Sequence, residues 1–146
     1  MVRKLAGRIG LVGVMGLTAL GASGVVASSS AVARATPPTK IVLTNSSNGQ
    51  TVLAQKGDIV QVDLKSINGV RWSEASDVDA TAGNVLMKKS GHITSTGSSE
   101  TTFTVVGYGS ATLVATGTPP CQGDVCPGYV LLWQATVSVP VQDPPG

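Results

Sequence analysis

Cys121, Cys126, His92 and the acid pair Asp77 and Asp79 are the side chains in this sequence that invite a reading as metal ligands, catalysts or a redox couple. Zinc needs three or four nitrogen or sulfur ligands. The two cysteines and the single histidine supply three, but Cys-x4-Cys is not one of the common finger spacings. A dithiol redox site is usually Cys-x-x-Cys ahead of a helix, and neither feature is present. His92 would need an activated serine beside it, yet no Gly-x-Ser-x-Gly elbow occurs, and it reads as an exposed loop residue. Residues 77–83 faintly echo a calcium loop. The glycine comes one place late and Lys88 stands where a closing glutamate belongs, so a solvated acidic turn is the better account. Gly107-x-Gly109 lacks a third glycine and leads into a strand, which is no phosphate cradle. The expectation is therefore a non-enzyme with no metal and no cofactor. In an exported chain, two cysteines five apart are expected to bond to each other. Gln122-Gly123-Asp124 supplies the turn between them.

The cysteines lie in residues 116–133, a stretch rich in glycine and proline, and strand-like sequence flanks it on both sides. Such a segment is a loop presented by the two strands that carry it. A ring this small contributes about 2 kcal/mol through loop closure, and its larger effect is to hold one shape at the loop tip.

The compartment is read from the first 35 residues. Arg3, Lys4 and Arg8 make a basic start, residues 9–27 carry no charge, and Ala31-Val32-Ala33-Arg34-Ala35 places small residues at alternate positions. This is the layout of a secretory signal peptide cleaved after Ala33 or Ala35. The alternative is an uncleaved anchor, which the many Gly, Ala and Ser residues disfavour. The expected location is secreted or cell envelope, without stable membrane insertion after cleavage. The chain has 146 residues and a formal charge of +2, with ten basic and eight acidic side chains. Four basic residues and no acid lie in the first 35, so removing that segment leaves a net charge of −2. No basic face remains for nucleic acid.

Hydrophobic residues make up 42% and charged residues 12% of the chain, a balance suited to an extracellular β-protein. Residues 36–39 are a short linker. Strand candidates follow at 40–45, 50–54, 59–65, 70–73, 85–87, 100–106, 110–116 and 129–139. Val60, Val62 and Leu64 share one face of their strand, and Phe103 and Val105 share one face of theirs. Leu131, Trp133, Ala135, Val137 and Val139 form the longest inward stripe. Residues 74–83 and 91–99 read as loop, with a weak strand at Ile93. No helical apolar period occurs after the leader. The expectation is a signal peptide at 1–35, a linker at 36–39, an all-β immunoglobulin-like antiparallel sandwich of seven or eight strands over 40–140, and a Pro-rich tail at 141–146. Trp72, Phe103 and Trp133 fill its centre.

The strand order and loop placement over residues 40–139 resemble the chagasin family, immunoglobulin-like inhibitors of papain-type cysteine proteases. In that family three neighbouring loops form a wedge in the protease cleft. The Gly-x-x-Trp end of the first loop matches Gly69-Val70-Arg71-Trp72. The second loop corresponds to Ser95-Thr96-Gly97-Ser98-Ser99, with one glycine in place of a Gly-x-Gly turn. The proline of an Arg-Pro-Trp third loop corresponds to Pro119-Pro120-Cys121, without the arginine or tryptophan. The resemblance implies inhibitory-loop candidates Asn68, Gly69, Gly97, Ser98, Pro119 and Pro120, a papain-like cysteine protease as partner, and occlusion by a monomer without covalent chemistry. Asn68-Gly69 also reads simply as a tight turn. The rival reading is a cell-surface or structural module that binds polysaccharide or another surface protein through the same loops.

Overall fold

A computed structural model describes residues 36–79 and 84–144; the expected signal peptide and the end of the acidic turn lie outside them. Among the described residues nine strands run in chain order: β1 Lys40–Thr44, β2 Thr51–Leu53, β3 Ile59–Leu64, β4 Arg71–Trp72, β5 Ser76–Asp77, β6 Leu86–Ile93, β7 Ser99–Val105, β8 Gly109–Thr118 and β9 Leu131–Val139. A single 3-10 turn, Asn45–Ser47, separates β1 from β2. One sheet has the order β1-β3-β7-β6, and the other β2-β9-β8-β4 with β5 also on β8. The expected all-β sandwich is the architecture found. Two of the nine strands are two-residue pieces, which explains the excess over the expected number.

Five of the seven pairings are antiparallel, while β1 runs parallel to β3 and β2 parallel to β9. The expectation of an antiparallel sandwich is corrected at these two edges. Parallel neighbours need a crossover rather than a hairpin. The chain supplies it by leaving the first sheet after β1, adding β2 to the second, and returning as β3. Alternation along a strand says nothing about that path.

The core forms where the alternation put it. Val60, Val62 and Leu64 of β3, Phe103 and Val105 of β7, and Leu113 of β8 are buried between the sheets. Trp72 and Trp133 are 9% and 1% exposed. Each indole N–H finds a backbone acceptor: Trp72 donates to the Lys65 carbonyl at 3.1 Å, and Trp133 to the Thr44 carbonyl at 3.0 Å. Burying a tryptophan is favourable only when that donor is satisfied.

Two local expectations change. Gly91 and His92 belong to β6 rather than a loop, and the weak strand expected at Ile93 is the end of that same strand. This is an edge strand with seven of its eight residues exposed, so it has no apolar period to read, and a bulge between Lys88 and Ser90 shifts its register. Met87 is exposed for the same reason. Leu131 is 39% exposed and leaves the inward stripe, because it lies opposite Gly117 at the end of the β8–β9 ladder.

Candidate functional site

Three loops close one end of the sandwich. The first, residues 65–70, joins β3 to β4. Ile67 accepts through its carbonyl from the Val70 N–H at 3.1 Å, and the two central residues take positive φ, 53° at Asn68 and 78° at Gly69. Positive φ at both positions is the type I′ pattern, which Asn-Gly adopts most readily. The plain turn reading of this dipeptide is thus realised.

The second loop, residues 94–98, is the β6–β7 hairpin. Gly97 donates its N–H to the Thr94 carbonyl, and Thr94 donates to the Ser98 carbonyl at 2.8 Å, with Gly97 at φ 95°. This matches the three-residue hairpin with a left-handed glycine before the returning strand. The third loop, residues 119–130, joins β8 to β9. Cys121 and Cys126 are bonded to each other, with Cα atoms 4.1 Å apart. Inside the ring Gln122 and Val125 exchange both backbone hydrogen bonds, at 2.7 and 3.1 Å. Gly123 has φ 60° and Asp124 is not left-handed, the arrangement of a type II′ turn.

These loops touch. A Cβ on Gly69 would lie 3.0 Å from Pro120 Cγ, so the first loop packs directly on the third. A Cβ on Gly97 would lie 2.9 Å from the Arg71 Cα, so the second packs against the strand leaving the first. Hydrogen bonds reinforce the joint: Trp72 N–H to the Gly97 carbonyl at 2.8 Å, Ser66 N–H to Ser98 Oγ at 2.9 Å, and an Arg71 guanidinium N–H to the Ser95 carbonyl at 3.2 Å. Two of the candidates therefore have internal duties. Gly97 is buried beneath Arg71, and Ser98 ties two loops together.

Asn68, Pro119 and Pro120 line one concavity of about 440 Å³, together with Val70, Gln122, Val125, Pro127, Tyr129 and Leu131. None of these side chains carries a charge at neutral pH. At this end of the sandwich Ile67, Val125, Tyr129, Val130 and Leu132 are more than half exposed. Sequence reasoning missed Ile67, Val125 and Tyr129. The signal was there in part, since an apolar run continues from Tyr129 to Trp133 and only its later members can face the core.

The other chemistry-bearing residues lie elsewhere. His92 is exposed on β6 opposite Glu100. Asp77 accepts from the Asp79 N–H at 2.9 Å, and Asp79 accepts from the Thr112 N–H at 3.0 Å, so both carboxylates serve backbone groups at the edge of β8. Burial pushes the Asp77 carboxyl above the usual aspartate range, against the opposing effect of the Asp79 N–H. Among the described residues no three His, Cys, Asp or Glu side chains cluster in a way that could hold a metal. No helix among them is long and apolar enough to cross a membrane.

No protein-family model matches this chain, and no curated protein does. Among solved structures it is similar to the crystal structure of the cysteine protease inhibitor EhICP2 from Entamoeba histolytica. The identity is 14% and the TM-score 0.49, over 69% of this chain and 95% of the other. It is also similar to the solution structure of amebosin, at 16% identity and TM-score 0.43, over 70% and 98% of the two chains.

Proposed function

We propose that this chain is an exported, monomeric, non-catalytic inhibitor that occludes the substrate cleft of papain-like cysteine proteases with its loop end. The observation that carries the reading is the direct packing of residues 65–70, 94–98 and 119–130 into one surface, through Gly69 on Pro120 and Gly97 on Arg71. Each turn is specified by its own backbone chemistry and the third is stapled, so little order has to be gained on binding. The exposed apolar side chains around the concavity offer surface to desolvate. The choice of target follows from the Gly69-x-x-Trp72 motif and the proline of the third loop.

The test is a titration of papain with residues 36–146, using a chromogenic peptide substrate. The expected result is reversible, competitive loss of turnover with no covalent adduct in the intact mass. Undiminished turnover, or simple cleavage of the third loop, would overturn the reading. Export is tested by the intact mass of protein recovered from culture medium, which should begin at Arg34 or Thr36. The rival, polysaccharide binding, draws on one observation: the Tyr129 ring and the Asn68 and Gln122 amides line the same concavity. Retardation in polysaccharide-containing gels, without protease inhibition, would favour it.

A further inference from the structure

The two faces of β9 are accounted for by the core and by solvent, but one stretch of its backbone edge is not. Along the β8–β9 ladder Gln134 turns its N–H and carbonyl away from β8. The N–H donates to Asn48 Oδ1 at 2.9 Å, and the carbonyl accepts from the Gly49 N–H at 2.7 Å. Thr136 does likewise, donating to the Gln50 carbonyl at 2.9 Å, and β2 carries the pairing on from there. Thr116, opposite Leu132, confirms the alternation from the other strand, since its N–H and carbonyl bond Ser73 on the far side of β8. Leu132 stands two residues before Gln134 and therefore presents its N–H and carbonyl outward as well. No described residue bonds to either group. The segment that covers the edge departs at Asn48, just where Leu132 begins.

Sheet edges left in this state pair with other chains unless they are guarded by charge, proline or a bulge. β6, a long edge strand of the first sheet, has Lys88, Lys89 and a bulge. Between Tyr129 and Gln134 there is no charge, no proline and no bulge, and Val130 and Leu132 are 60% and 57% exposed. This open edge is continuous with the loop end, because Leu131 lines the concavity.

We propose that the edge at Leu132 receives an extended main-chain segment of the target protease, adding a strand to the second sheet beside the loop cluster. The unpaired donor and acceptor select an extended backbone, and the exposed Val130 and Leu132 select an uncharged, apolar stretch of it. The inference rests on the proposed inhibitory function.

Leu132→Pro tests it. The substitution removes the outward N–H but breaks no bond of the β8–β9 ladder, and proline is tolerated at such an edge position. Leu131, which precedes it, is already extended. With papain whose active-site cysteine is S-methylated, the expected result is an unchanged melting curve and binding weakened about tenfold. Leu132→Val, which keeps the N–H, should bind like the parent. If Leu132→Pro binds papain as tightly as the parent does, the edge inference is overturned and the inhibitor reading survives. If the parent itself does not bind, both fall. A concentration-dependent dimer of the free protein that Leu132→Pro abolishes would assign the edge to a second copy and overturn the inference too. Should the proline variant lose its fold, amide exchange at Leu132 in the parent decides: protection gained with papain supports the edge, and unchanged exchange overturns it.

Discussion

Gly97 and Gly123 both take positive φ but in opposite surroundings, and that contrast separates strain from packing. A Cβ on Gly123 would meet nothing within 4 Å, whereas one on Gly97 would press on the Arg71 backbone. Gly123→Ala should therefore cost about 1–2 kcal/mol, the penalty for an L-residue in this region. Gly97→Ala adds an overpacking term of about 1–3 kcal/mol. Urea denaturation of the two variants checks the order, and equal losses would contradict it. Turn glycines are readable from sequence because positive φ is a local demand. That Pro120 and Arg71 occupy the space beside Gly69 and Gly97 is a tertiary fact, and no pattern in residues 95–99 indicates that Gly97 is buried. Asp77 offers a test by pH. Its folded-state pKa is raised by burial, so its contribution to stability is complete below the ordinary aspartate range and is lost as pH rises through the folded value. Asp77→Asn should flatten that decline in a melting-temperature profile from acid to neutral pH.

Among the elements, β3, β7 and most of β9 were readable because one face of each is buried and the other is wet, which imposes a period of two. Only the start of β6 was readable, because an edge strand with both faces near solvent imposes no period on the rest. The third loop was readable in its outline and its disulfide, but not in its packing on the first. The same loop carries an element-scale prediction. Replacing Cys121 and Cys126 by serine removes a ring at an exposed tip, so the loss of stability should be no more than about 2 kcal/mol. Papain binding should fall by a larger factor than the folding equilibrium constant does, because the freed hairpin must be ordered on contact. Calorimetric melting and binding titration of the same sample provide the comparison. A variant that fails to fold would mean that the staple supports the core instead of the loop.

At the scale of the whole molecule, two sheets share one core and hold three loops at one end. Trp133 is the largest fully buried side chain in that core, and it also ties β9 to the Thr44 carbonyl at the end of β1. Trp133→Ala should cost about 3–5 kcal/mol, enough to threaten a domain of ordinary stability, and thermal unfolding reads it directly. The sandwich itself was foreseeable from alternation and turn residues. The parallel edges were not, because they depend on which sheet each short strand joins. Those edges matter to the edge proposal, since the place where β2 leaves β9 decides how much of β9 stays open near the loops. The central claim is that the three loops act as one binding surface, and the most direct test is an affinity map of papain against single changes at both ends of the molecule. Ile67→Asp, Thr96→Asp and Tyr129→Asp each alter an exposed side chain of a different loop, and Tyr108→Asp alters an exposed one in the β7–β8 turn at the far end. The account predicts that the three loop variants all bind more weakly while Tyr108→Asp binds like the parent; loss confined to one loop, or an equal loss at Tyr108, would contradict it.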